Sequence, residues 1–172
     1  MKISQLQPNE YGQFYANYLA QVSDEYTLVE ELEISVHRLV KFVREIPMDK
    51  FDYRYAEGKW TIKDIVQHLI DTERVLAYRS LRFARKDQTP LHSFDENEYV
   101  DATAANKRTL TDLLQEYKAV RLSTLYLFKS FSNEELMYTG IASNNSFTVR
   151  AIGFIIAGHQ KHHQRIIAER YL

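Results

Sequence analysis

Apolar residues recur every three or four positions along most of this chain, which is the spacing of one face of an α-helix. The first such stretch begins near Glu10, breaks softly near Ser23 and continues as a long helix to Val43. Pro47 ends it, because proline cannot continue a helix and disfavours helical geometry in the residue before it. Residues 48–59 are then predicted to be an aromatic-rich connector without a strand pattern.

A second helix is predicted from Thr61 to about Lys86. Thr61 and Asp64 have the form of a capping box, and an apolar stripe follows them. The next segment, residues 87–99, is polar and contains Pro90, so it is predicted to be the longest loop and could cover the mouth of a bundle.

Two further helices complete the predicted fold. The third runs from about Val100 to Ser130, and residues 132–135 suggest a short helical turn after it. The fourth begins at Thr148, after a polar run of residues 142–146, and continues towards the C terminus. Four long amphipathic helices predict an all-α chain that buries their apolar stripes in a four-helix bundle.

The composition fits one such domain over residues 1–172, because 45% of the residues are hydrophobic. The 22 basic and 23 acidic residues nearly cancel, which argues against nucleic acid as a partner. The absence of cysteine excludes thiolate ligands and disulfides. No segment approaches the ~18 apolar residues of a membrane span, and the N terminus lacks the apolar core of a signal peptide. A cytoplasmic protein without a membrane partner is expected.

Histidines interrupt the apolar stripe of the last helix. His159 and His163 are spaced i, i+4, so both imidazoles lie on one face about 6 Å apart along the axis. The stripe is otherwise isoleucine, so the face should point inwards, where ring nitrogens need partners. His68 lies on or beside the stripe of the second helix and could meet the pair in an antiparallel bundle.

From the pattern alone, a metal site and three core histidines satisfied by ordinary hydrogen bonds are equally good interpretations. A metal held by three histidines would lack a fourth protein ligand, which is typical of catalytic rather than structural sites.

Other polar residues near these histidines have two interpretations each. Asp64 could orient His68 or merely cap its helix, and Glu73 could act in catalysis or pair with a basic group. His162 is turned about 100° away from His163, towards a supporting or surface position. His92 lies in the long loop and could approach a substrate. Four arginines make the second helix basic, and pairing with acidic residues is favoured over anion binding for Arg74, Arg79, Arg82 and Arg85.

Two segments resemble the DinB-like (YfiT-like) superfamily of metal-dependent enzymes, and the resemblance covers nearly the whole chain. They are GKWTIKDIVQHLIDTER, residues 58–74, and TVRAIGFIIAGHQKHHQRIIAERYL, residues 148–172. The family pattern is a histidine in the second helix followed by a late HxxHH. Position by position, the resemblance implies that the metal ligands are His68, His159 and His163. It also implies a four-helix bundle with a long crossover connection, often a homodimer, and a divalent ion, zinc or nickel.

The resemblance does not fix a reaction. Similar proteins include S-transferases that use bacillithiol-type or mycothiol-type thiols and a maleylpyruvate isomerase. The leading hypothesis is a metal-dependent enzyme that transfers an exogenous low-molecular-weight thiol to a small electrophile. A metal-dependent hydrolase, a non-catalytic metal-binding or dimerising module, and a metal-free bundle are the alternatives.

Overall fold

The computed structural model describes all residues, 1–172, and consists mainly of helices. Its α-helices are α1 (Ala16–Leu19), α2 (Leu28–Arg44), α3 (Ile62–Ala84), α4 (Glu96–Ala102), α5 (Leu110–Lys129) and α6 (Val149–Arg170). Single-turn 3₁₀ helices lie at Ile3–Gln5, Pro8–Glu10, Gln13–Tyr15, Met48–Lys50, Ala105–Lys107 and Glu135–Met137. Strands β1 (Thr139–Ala142) and β2 (Asn145–Thr148) form an antiparallel hairpin. No helix combines the length and the apolar character that crossing a membrane requires.

The four long helices, α2, α3, α5 and α6, form a bundle with an unusual order. Helix α2 packs against α5 and α6, and α3 packs against the same two helices. Helices α2 and α3 therefore occupy diagonal corners, although they are consecutive long helices in the chain. The connector between them, residues 45–61, crosses the end of the bundle. This order brings α3 beside α6, which carries the late histidines.

Threonine caps fix where the long helices begin. The Thr61 Oγ1 accepts a hydrogen bond from the Asp64 amide (3.1 Å), and an Asp64 carboxylate oxygen accepts one from the Thr61 amide (2.9 Å). Thr148 caps α6 through the amide of Ala151 (3.2 Å). The predicted capping box and the predicted start of the fourth helix are both confirmed.

The prediction of a helix beginning near Glu10 was wrong. Residues 1–27 form short 3₁₀ turns and the single turn α1. Glu10 is buried against the start of α6, where its carboxylate accepts hydrogen bonds from Arg150 Nε (2.7 Å) and Thr148 Oγ1 (2.7 Å). This long-range contact holds the segment across the bundle and outweighs its helical pattern.

Two other boundaries differ from the prediction. The third helix begins at Leu110 rather than Val100, because Thr109 accepts a hydrogen bond from the Asp112 amide (3.1 Å) and caps it; α4 is a separate helix before it. The hairpin of β1 and β2 was not predicted. Its two-residue turn, Ser143 and Asn144, has positive φ at both positions (50° and 62°), as a type I′ turn requires.

A polar layer separates two clusters of buried apolar residues. The first cluster surrounds the N-terminal half of α6, and the second surrounds the N-terminal part of α3 and the end of α6. Each long helix contributes one side chain to the layer between them, and these four residues, hereafter the polar layer, are Ser35, Glu73, Arg121 and Gln160.

Hydrogen bonds satisfy this polar layer. The Arg121 guanidinium donates to both carboxylate oxygens of Glu73 (2.8 and 2.9 Å) and to the side chains of Ser35 and Gln160. Gln160 in turn accepts from the Tyr117 hydroxyl (2.7 Å). Burial acts to lower the pKa of Arg121, but the charge of Glu73 and the other nearby groups together outweigh this effect and the net pKa is raised. The buried arginine therefore stays charged.

Removing one member of the ion pair should therefore destabilise the fold strongly. We expect Arg121→Met to lower the free energy of unfolding by about 3–5 kcal/mol, because it leaves the Glu73 charge buried without a partner. The double variant Glu73→Leu/Arg121→Met should recover much of this loss. Arg74→Met, which removes a half-exposed ion pair with Glu116, serves as the control and should cost less than about 1 kcal/mol. Urea denaturation measures all three; a loss for Arg121→Met as small as the control would contradict the expectation.

Candidate metal centre

Three imidazoles converge beside the polar layer. His68 lies on α3, and His159 and His163 lie one turn apart on α6. One ring nitrogen from each lies within 4.8 Å of the other two, and the Nε2 atoms of His68 and His159 are 2.9 Å apart. The three histidines, hereafter the trio, are thus brought together as the sequence predicted, and their role as metal ligands stays a prediction.

Burial keeps the trio neutral. It lowers the pKa of His68 to about 4, helped by the charge of nearby His162. It also lowers the pKa of His159 and of His163 well below the ordinary value, and the other histidines add to this effect. Neutral imidazole is the form that binds metal ions, so the trio is ready to act as a ligand set at neutral pH.

The ring nitrogens fit a metal ion better than they fit one another. Only one member of the His68 and His159 pair can donate the proton between their Nε2 atoms, and His163 Nδ1 is buried without a hydrogen-bond partner. No carboxylate joins the group. Three nitrogen donors suit zinc, nickel, copper or iron and leave coordination positions free.

Neighbouring side chains set the orientation of the trio. Thr72 lies one turn after His68, and its hydroxyl oxygen is 3.4 Å from His68 Nδ1. The Trp60 ring lies 4.7 Å from the His68 ring and 6.2 Å from the His163 ring, while the Tyr18 ring lies 5.2 Å from that of His159. Trp60 and Tyr18 were not predicted to contact the histidines, since neither lies on the helices that carry them.

Asp64 and Glu73 do not face the trio. Asp64 caps α3, accepts a hydrogen bond from Asn106 (2.9 Å) and pairs with Arg54 (3.2 Å). The interpretation of Asp64 as the residue that orients His68 was therefore wrong, and the capping interpretation is confirmed. Glu73 pairs with Arg121, so the interpretation as an ion-pair partner is confirmed.

The remaining histidines lie outside the trio. His162 is half-buried beside the Tyr18 ring (4.9 Å), and its Nδ1 is 3.5 Å from Gln21 Nε2. Its supporting role stays a prediction. His92 is exposed, and only its backbone carbonyl takes part in the site, by accepting a hydrogen bond from Arg79 (2.8 Å).

Two cavities flank the trio. A small one of about 70 Å³ is lined by His68, His159 and Thr72 together with Arg79 and Glu96. An aromatic cleft of about 280 Å³ lies on the side of His163 and is lined by residues that include Tyr55, Trp60, Asn97 and Tyr171. Because Glu96 and Asn97 both belong to α4, this helix lies across the mouth of the site. A larger groove of about 590 Å³ runs between α2 and α5 and contains none of the trio.

The fold and the site together define a helical-bundle protein with a candidate three-histidine metal centre. The profile of the DinB superfamily matches residues 31–167. The chain therefore belongs to the DinB superfamily, as its two key segments predicted.

Similar proteins carry names that refer to metal dependence. A protein of Oceanobacillus iheyensis named "Putative metal-dependent hydrolase" is 22% identical over 144 residues, which are 83% of this chain and 82% of that protein. A protein of Bacillus cereus with the same descriptive name is 27% identical over 81 residues, 46% of this chain and 45% of that protein.

A solved structure shares the fold. It is YfiT from Bacillus subtilis, described as "a probable metal-dependent hydrolase with an unusual four-helix bundle topology". The two chains superpose with a TM-score of 0.75 at 17% identity, over 83% of this chain and 82% of that one. The predicted all-α, DinB/YfiT-like four-helix bundle is confirmed.

In metal-free protein, stability should fall as the pH falls. The folded-state pKa of His68 is about 4, below its ordinary value of 6.5, so the unfolded chain binds more protons between these values. The stabilisation is complete above about pH 6.5 and is lost as the pH falls towards 4, by roughly 3 kcal/mol for His68 alone. Urea denaturation in chelator at pH 7.5 and 5.0 measures this loss. His68→Gln should lose less than wild type and His37→Gln, which alters an exposed histidine, should lose as much; equal losses in all three would contradict the expectation.

Proposed function

We propose that this chain is a metal-dependent enzyme in which His68, His159 and His163 bind one divalent ion, zinc or nickel, that activates water for hydrolysis of a small molecule. The observation that carries the proposal is the convergence of three neutral imidazoles, with one ring nitrogen of each within 4.8 Å of the other two and with no carboxylate in the group. The names of the two relatives and of the structural neighbour support the same reaction class.

The ligand set suits this chemistry. Three neutral imidazoles leave the charge of a bound divalent ion undiminished, and that charge lowers the pKa of a coordinated water or thiol and so supplies a nucleophile at neutral pH. Thr72 holds the His68 ring, and the rings of Trp60 and Tyr18 limit the access of bulk water to the trio. Glu96 lines the same cavity, where burial raises the pKa of its carboxyl group, so it is placed to accept a proton from the nucleophile.

Thiol transfer is the second candidate, and the aromatic cleft favours it. At about 280 Å³, the cleft beside His163 is four times the size of the small cavity and could accept the body of a thiol cosubstrate. The thiol would have to come from outside, because the chain contains no cysteine.

We also propose a cytoplasmic homodimer that acts on a small molecule and does not bind nucleic acid or membranes.

Metal content tests the ligand set. After loading with zinc or nickel and desalting, wild type should retain about one equivalent, and His68→Ala, His159→Ala and His163→Ala should each retain far less, because two imidazoles bind a divalent ion weakly. His162→Ala is the matched control, since it removes an adjacent imidazole outside the trio, and it should retain the ion. Atomic absorption measures the metal content of each variant. The fall in melting temperature on addition of a chelator measures the stability that the bound ion contributes. Equal retention by wild type and the trio variants would contradict the proposal.

Activity assays separate the candidate reactions. Metal-loaded protein should hydrolyse small activated esters or amides, and His163→Ala should lose at least about a hundredfold in rate. Parallel assays follow the consumption of low-molecular-weight thiols with monochlorobimane. Metal-dependent thiol consumption without hydrolysis would favour thiol transfer instead. Bound metal with neither activity across the panel would favour the non-catalytic module.

A further inference from the structure

Arg79 is a buried cation without a carboxylate partner. Its side chain is 3% exposed, and it belongs to none of the ion pairs that fall within 4.0 Å. The two other buried arginines differ: Arg121 pairs with Glu73, and Arg150 pairs with Glu10. A buried charge is costly unless it is paired, so the environment of Arg79 lacks an anion that the other two sites contain.

The other basic residues of α3 sharpen this contrast. Arg74 pairs with Glu116, Arg82 with Asp87, and Arg85 with Glu135. The expectation that the arginines of this helix pair within the chain therefore holds for these three and fails for Arg79. Arg79 is also the one of the four that is buried.

Arg79 lines the same small cavity as two members of the trio, His68 and His159. His68, Thr72, Leu76 and Arg79 follow one face of α3, and all four line the 70 Å³ cavity together with His159. The Cα atoms of His68 and Arg79 are about 16 Å apart along the helix. Long side chains on a helix lean towards its N terminus, which for Arg79 is the direction of His68.

The protein holds the guanidinium in place with neutral groups. Its Nη2 donates to the carbonyl of His92 (2.8 Å) and to Oγ of Ser143 (3.1 Å). Its Cζ lies 5.8 Å from the centre of the Phe94 ring. Ser143 lies in the turn of the hairpin, and its own backbone amide donates a hydrogen bond to the carbonyl of Leu91 (3.0 Å), which fixes its position. These contacts orient the cation and leave its charge uncompensated.

We infer that the small cavity binds the carboxylate of a small anionic substrate, with Arg79 as the residue that selects it and with the rest of that molecule directed at the trio. A volume of about 70 Å³ fits a carboxylate with a few carbon atoms. A guanidinium holds a carboxylate through two parallel N–H···O hydrogen bonds, which a neutral amide cannot match. This inference names the substrate class for the proposed function and rests on it for the reaction, whereas anion binding itself needs only Arg79.

Glu96 could itself be the anionic partner of Arg79, which is the explanation that competes with substrate binding. Its carboxylate lines the same cavity on the side of α4, and a movement of that helix could bring it to Arg79. A Glu96 that already neutralises Arg79 in solution would leave no affinity for an added anion. Glu96→Gln removes this carboxylate, so under our inference it should strengthen anion binding.

The test compares propionate with propionamide, which have nearly the same shape but differ in charge. Binding is followed by the fluorescence of Trp60, the single tryptophan of the chain, and by the melting temperature at constant ionic strength. Wild type should bind propionate at least about tenfold more tightly than propionamide, and Arg79→Gln should lose at least about tenfold in propionate affinity. Arg85→Gln removes an exposed arginine of the same helix and should leave propionate affinity unchanged.

Two further variants keep the test decisive if Arg79→Gln does not fold. Arg79→Lys keeps the buried charge but not the forked donor, so its propionate affinity should lie below that of wild type. Glu96→Gln should raise it. Wild type that binds the acid and the amide equally, or propionate affinity that is unaffected by the Arg79 variants, would overturn the inference.

Titrations of metal-free and metal-loaded protein separate this inference from the proposed function. If the chain retains no metal but its propionate affinity still depends on Arg79, the proposed function fails and the anion site stands. If the chain retains metal but its propionate affinity is the same in wild type and in the Arg79 variants, the anion site fails and the metal centre stands.

Discussion

The ion pair between Glu73 and Arg121 is the contact on which the position of the trio depends. It lies at the level where all four long helices contribute a polar side chain, and it joins α3 to α5. Arg121 also contacts Gln160, the residue next to His159 on α6. A buried charge tolerates little displacement from its partner. These bonds therefore fix the positions of α3 and α6 along the bundle axis relative to each other. The trio can meet only if His68 on α3 lies at the same level along the bundle axis as the two histidines on α6.

The same layer shapes the electrostatics of the site. Burial is the main reason that His159 stays neutral, and the positive charge of Arg121 adds to that effect. On the other side, Arg79 contributes a second buried cation whose charge is not compensated. A site with three neutral donors, no carboxylate among them and a free cation nearby favours anionic species. A metal-activated nucleophile and an anionic substrate are both compatible with that field.

How far the site could be predicted depended on the distance over which each contact acts. The pairing of His159 and His163 follows from the period of a single helix, so spacing alone predicted it. His68 reaches them only because α3 and α6 are neighbours in the bundle, an order that spacing does not encode and that the family resemblance supplied. Arg79 looked like its neighbours on α3, because a sequence does not distinguish a buried arginine from an exposed one. The N-terminal segment was mispredicted for a similar reason: the pairing of Glu10 with Arg150 spans most of the chain.

The most direct test of the account is the location of the ion itself. Crystals of the protein loaded with zinc or nickel, measured on both sides of the absorption edge of that metal, would show where the ion binds. The account predicts one strong anomalous peak about 2.1 Å from a ring nitrogen of each of His68, His159 and His163. Anomalous peaks confined to other residues, with the trio making the same nitrogen contacts as in the metal-free chain, would contradict it.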